Sequence, residues 1–184
     1  NGEYVTKTNA PEPTIPVSAY LPAGTRILSL RAVAVTANTA TGSGSLPALQ
    51  GEPWAKSFRG RFEILGGTTP ANSHQAMATP SALARLGMGI GDTVTLTQPR
   101  TTTLTIVGTM RDLTQSSSYE ELFAPSASLD GVPASGDLPD TTYYLPTLAL
   151  DWRQVEALNH DGITVMSRRV YNDPPAVATD DSSV

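Results

Sequence analysis

The sequence predicts an α+β fold in two lobes, and three observations carry that reading. A strand–helix–strand pattern stands near the C-terminal end, a Thr/Val-rich hairpin follows a short helix in the middle, and a long apolar strand lies near the start. A strand–helix–strand unit has too few strands to stand alone, so the early strand is expected to complete its sheet. The middle segment then becomes an insertion with its own small core around Phe62, Ile64, Leu83, Leu86, Val94, Leu96, Leu104 and Ile106.

Composition sets the outer bounds. A chain of 184 residues with 39% hydrophobic side chains and no cysteine can bury roughly 70% of its unfolded surface, and needs neither disulfides nor thiolate metal sites to do so. The net charge of −5 and a pI near 4.9 would repel phosphate backbones, which excludes nucleic acid as a partner. The apolar stretch Ile27 to Val35 is broken by Ser29 and Arg31 and falls far short of the roughly 20 residues that span a bilayer. No basic and apolar leader follows Asn1, so the chain is expected to be a segment excised from a longer protein. Ten of the twelve basic residues are Arg, beside 21 Ala and 24 Thr, a bias that points to GC-rich codons and an actinobacterial source.

The elements follow in order. Residues 1–22 carry Pro11, Pro13, Pro16 and Pro22, which remove backbone donors and favour extended neighbours, so this stretch reads as an extended arm. Arg26 to Thr36 reads as a strand with a register break near Arg31 and Ala32, and Thr39 to Gly51 as a Gly/Ser/Thr/Pro loop. Arg61–Leu65 and Gln75–Ala78 read as short strands. Thr79 is an N-cap, Pro80 presets the first helical residue, and Gly87 can take the left-handed position that ends a helix over Pro80–Leu86. Thr93–Thr97 and Thr103–Val107 alternate as the two arms of an antiparallel hairpin. Glu121-Leu122-Phe123 suggests a short strand between loops, of which Pro125 to Asp140 is the longer. Tyr143–Leu145, a helix over Asp151–Asp161 with Gln154 at N3 and a Leu150–Val155 staple, then Ile163–Tyr171, form the strand–helix–strand unit, with parallel strands and a right-handed crossover expected. Residues 173–184 read as a linker.

No constellation of catalytic residues emerges. His74 and His160 have no metal-ligand spacing, and His160 in a last helical turn suits the helix dipole. Ser73-His74 lacks a nucleophile elbow. Glu120 and Glu121, as strand neighbours, face opposite ways and cannot share a substrate; a solvated loop edge is expected. Gly87 to Gly91 lacks the Lys-Ser/Thr of a phosphate loop and leads into a strand, so it is a turn. Trp54 and Phe58 are candidate binding-surface aromatics, as are Tyr143-Tyr144 with Trp152, against a default of core packing. The chain therefore reads as non-enzymatic, with no cofactor and no metal site.

The run Ser81 to Leu96, with Leu-Gly at 86–87 and Gly91-Asp92 opening a strand, followed by Leu104-Thr105-Ile106-Val107-Gly108, resembles the extracytoplasmic domain of FtsX/MacB/LolC-type ABC transporter permeases. Each position has a physical reason: Gly87 ends the helix, Gly91 permits a tight turn, Asp92 can bond back onto the turn backbone, and Gly108 ends or bulges the second strand. The upstream Gly60–Gly67 segment and the stretch from Tyr144 to Pro175 extend the resemblance, the latter being similar to actinobacterial members. The resemblance implies a MacB-like periplasmic domain hung between the first and second membrane helices of a permease, on the extracellular side of the cell membrane. Its partners would be a cytoplasmic ATPase, reached through the membrane part, and an envelope protein or peptide. On this basis the permease domain spans 23–172, with lobe one at 24–58 and 141–172 and lobe two at 59–125. The competing reading is a free-standing cell-surface or secreted module that binds peptide, glycan or cell wall; an envelope hydrolase has least support.

Overall fold

Local signals place most elements of the computed structural model, which describes residues 3–7, 16–97, 101–129 and 141–166. In chain order the strands are β1 (Glu3–Lys7), β2 (Leu28–Asn38), β3 (Ser43–Gly51), β4 (Phe62–Gly67), β5 (Gln75–Ala78), β6 (Thr93–Leu96), β7 (Thr102–Asp112), β8 (Leu122–Ala124), β9 (Thr141–Leu145) and β10 (Ile163–Met166). The helices are α1 (Pro80–Leu86) and α2 (Trp152–His160), with 3-10 turns at Val17–Tyr20, Lys56–Phe58 and Ser126–Leu129. The chain forms two compact units, one from Asn1–Ile27 with Tyr143–Val184 and one from Leu28–Thr142.

In the first unit the strand order is β10–β1–β9, and β1 pairs antiparallel with β10 from Tyr4 opposite Met166 to Lys7 opposite Ile163. The N-terminal stretch is therefore more than an extended arm. Prolines bar an α-helix but allow a strand or a 3-10 turn, and Val17 and Leu21 bury themselves with Leu145, Leu150, Val155, Leu158 and Ile163. β1 lies between β9 and β10. Asp151 caps α2 in a full capping box: its carboxylate accepts from Gln154 N–H at 2.9 Å, while Gln154 Oε1 accepts from Asp151 N–H at 3.0 Å. The part of the last strand beyond Met166, and the linker at 173–184, lie outside the described residues.

The second unit is a ring of strands. β2 pairs with β3, β3 with β8, β8 with β5, β5 with β7, β7 with β6, and β6 with the end of β2 at Ala37–Asn38. Closure of this kind removes free edges and encloses an interior. Val33, Val35, Leu46, Ala76, Ala78, Val94, Leu96, Leu104, Ile106 and Leu122 fill it, with Ala82, Leu83 and Leu86 of α1 in the same cluster. Each large side chain buried there contributes about 1.5–3 kcal/mol. The long strand β7 serves two partners along one edge: Thr102–Thr105 pairs with β6, and Gly108–Asp112 pairs with β4.

Several expectations are corrected here. The early strand is paired with β3 along its length and takes part in this ring, and the two units divide at Leu28 and Tyr143. Thr39 to Gly51 is a turn followed by β3 and not a loop throughout. Leu46, Ala48 and Leu49 are buried, and β2 and β8 together satisfy the strand on both sides. Its Gly, Ser and Pro content hides these partners, one of which lies more than seventy residues away. β2 has no register break: its ladder with β3 runs unbroken from Leu30 to Asn38, and burial passes from Leu30 to Val33 because opposite faces are covered at different points. Ile64 leaves the expected core and is 46% exposed, because β4 hangs outside the ring. β7 does not end at Gly108 but runs on to Asp112, with a register shift against β5 between Ala76 and Met77.

Candidate functional site

The Gly-Asp turn links α1 to the hairpin. Gly87 sits at φ +62°, with Met88 N–H donating to Leu83 O at 2.9 Å. Gly91 has φ +100°, and its N–H donates to Ile106 O at 2.7 Å. Asp92 Oδ2 accepts Gly89 N–H at 2.8 Å, and Asp92 O accepts Ile106 N–H at 2.9 Å. The carboxylate is thus spent on the turn backbone, and the turn is pinned to β7 by two backbone bonds. At Gly108 an added Cβ would lie 2.5 Å from Thr68 O and 2.8 Å from Gly66 O, so only glycine lets the neighbouring chain approach. All four residues serve backbone geometry.

Of the two candidate surface aromatics, Trp54 is half-buried and Phe58 is interior, 2% exposed. Phe58 meets Phe62 edge-to-face at 6.0 Å, and Phe62 meets Phe123 in the same way at 6.0 Å. Core packing claims Phe58, which cannot present a contact surface. Trp152 is exposed while Tyr144 is buried, so the second aromatic group does not form one platform. His74 is exposed, and Ser73 contributes its carbonyl to Ser128 Oγ at 2.6 Å, an arrangement with no nucleophile–base contact. His160 lies at the end of α2, its Nδ1 3.0 Å from Asp161 Oδ1.

A polar cluster absent from the sequence reading lies where β7, α1 and β8 converge. Asp112 is 5% exposed; its Oδ2 accepts from Arg61 Nε and Nη2, both at 3.2 Å, and its Oδ1 accepts from Thr114 N–H at 2.9 Å and Thr114 Oγ1 at 2.7 Å. Glu121 is also buried, against the expectation of a solvated edge; burial first, then the charge of Asp112, push its carboxyl up to about 8, with Arg61 pulling the other way. Glu120, its neighbour, turns outward to pair with Arg85. Burial raises the Tyr119 hydroxyl as well, helped by Glu121 and Asp112. The signal for Asp112 was present in the sequence: Leu104, Ile106, Gly108, Met110 and Asp112 share one strand face, and all are buried. Thr79, Asp112, Ser116, Ser117 and Tyr119 line a cleft of about 160 Å³ beside the cluster. That is below the roughly 300 Å³ of small ligand pockets.

The ring of strands and its β-rich companion unit have counterparts among solved structures. The periplasmic region of MacB from Actinobacillus actinomycetemcomitans is similar at TM-score 0.63 and 10% identity, over 94% of this chain and 91% of that one. The fold is that of a MacB periplasmic region. The extracellular domain of the ABC-type transporter YknZ from Gram-positive bacteria is similar at TM-score 0.57 and 9% identity, over 91% of this chain and 100% of that one. No family model and no curated protein matches the chain.

Within this MacB-like fold, the described residues hold no group of three His, Asp or Glu side chains placed to bind a metal ion. No helix among them is long and apolar enough to cross a membrane. The Gly-Asp turn belongs to the ring of strands, and the capping box of α2 belongs to the other unit.

Proposed function

We propose that this chain is the extracytoplasmic domain of an ABC transporter permease, a non-enzymatic module that transmits ATP-driven movement or contacts a substrate or envelope partner. The observation that carries the reading is the MacB-like fold, which extends over nearly the whole chain and recurs in an ABC-type transporter of Gram-positive bacteria. The chemistry is consistent with it, because Asp92 Oδ2 and both oxygens of Asp112 take structural bonds and Ser73 contributes only its carbonyl, to Ser128. Its partners would be a cytoplasmic ATPase, reached through the membrane part of the permease, and an envelope protein or peptide, and the Arg-, Ala- and Thr-rich composition supports an actinobacterial source.

The parent gene gives the first test: apolar segments of about 20 residues should bracket this chain. The second is reconstitution of the permease with its ATPase in vesicles, with and without this domain. Removal should abolish transport while the purified domain alone hydrolyses neither ATP nor ester, peptide or glycoside substrates. A parent protein without flanking apolar segments, or turnover lost on Ser73→Ala or His74→Ala substitution, would overturn the reading, the first in favour of a free-standing binding module.

A further inference from the structure

Glu121 stands at a junction. Its N–H donates to Thr79 Oγ1 at 3.1 Å, and its carbonyl accepts Thr79 N–H at 3.0 Å. The same Thr79 oxygen accepts Ala82 N–H at 3.3 Å and so caps α1, while Leu122 opens β8. One residue pair thus fastens the end of the 113–121 segment to the start of α1. Around the Glu121 carboxyl, β7 brings Asp112, the chain before β4 brings Arg61, and its own segment brings Tyr119. Strands β5 and β8 carry no titratable side chain, and Arg85 of α1 is held outside by Glu120. Arg61 is spent on Asp112 through two bonds. Two buried carboxyls therefore face one cation that already has its partner, and ionising both leaves a buried negative charge uncompensated.

We propose that Glu121 is a proton switch: protonated, it lets the 113–121 segment seat against the start of α1, and on ionisation it loosens that seat. The direction follows from the sites of the proton. With its carboxyl pushed up to about 8 in the fold against an ordinary 4.5, the seated form holds a proton that the released form gives up. The seat is then firmest in acid and weakens as pH rises toward 8.

Amide hydrogen exchange on the full chain, from pH 5.5 to 8.5 and corrected for intrinsic rates, reads the seat directly at Glu121 and Ala82, whose N–H groups share Thr79 Oγ1. Protection should fall by about tenfold per pH unit between pH 5.5 and 7.5, the limit for one proton. In Glu121→Gln it should be flat. A pH-independent protection in the parent chain, or an equal slope in the variant, overturns the switch. Should the variant fail to fold, the carboxyl carbon resonance of Glu121 in the unmodified chain decides: a midpoint well above 6 supports the proposal, and one near 4.5 sinks it.

Discussion

Thr41 Oγ1 donates to the carbonyl of Leu86 at 2.7 Å, so the turn between β2 and β3 closes the C-terminal end of α1. Thr39 Oγ1 reaches the same oxygen at 3.1 Å. A carbonyl of the last helical turn, which has no partner inside the helix, is satisfied by residues more than forty positions away.

This contact leaves no room at Gly87. A Cβ there would lie 2.5 Å from Thr41 Oγ1, and φ of +62° is itself unfavourable for alanine. Gly87→Ala should therefore cost about 2 kcal/mol, of which about 1 kcal/mol is backbone strain. Thr41→Ala alone should cost about 1 kcal/mol for the lost bond. The double variant should cost less than the sum, because the clash disappears with the side chain that causes it. Urea unfolding of the four proteins measures this, and strict additivity would show that the clash is relieved elsewhere.

Gly108 presents a different obstacle, since the atoms an added Cβ would meet at Thr68 O and Gly66 O are backbone. Gly108→Ala must push β4 away from β7 or shift Met77, whose Cε lies 2.8 Å from the added atom. A loss of about 3 kcal/mol is expected from this overpacking. The amides of Gly67 and Thr68, at the β4 end of the contact, should lose exchange protection first. An unfolding midpoint equal to that of the parent would contradict the geometry.

The charge of Asp112 should act on the Glu121 carboxyl. Asp112→Asn removes the nearby negative charge that helps hold the Glu121 carboxyl up, and frees Arg61 to favour the ionised form. The Glu121 midpoint should move down from about 8 toward the ordinary carboxylate range. Because the seated form then holds its proton over a narrower span, the loss of stability with rising pH should begin and end at lower pH. Carboxyl carbon titration together with melting temperature across pH 5–9 tests this, and an unmoved midpoint would show burial alone to be responsible.

By itself the sequence determined what short-range chemistry controls. Thr79-Pro80 and Gly87 bound α1, Asp151 and Gln154 start α2, and the Thr/Val alternation of 93–107 makes a hairpin, because each signal acts within a few residues along the chain. Tertiary structure alone decided which strands meet. The Gly/Ser/Pro stretch at 43–51 becomes β3 only because β2 and a parallel β8 flank it, and β1 becomes a sheet member only beside β10. It also decided which polar groups are enclosed. Asp112 and Glu121 come together from separate elements, and no local pattern at Glu120-Glu121 states which of the two faces solvent. Phe58 is interior for the same reason, since Phe62 of β4 packs on it and Phe123 of β8 packs on Phe62 in turn. Capping and alternation are encoded by neighbours in sequence, whereas burial and charge environment are set by neighbours in space, which only the closed ring of strands brings together.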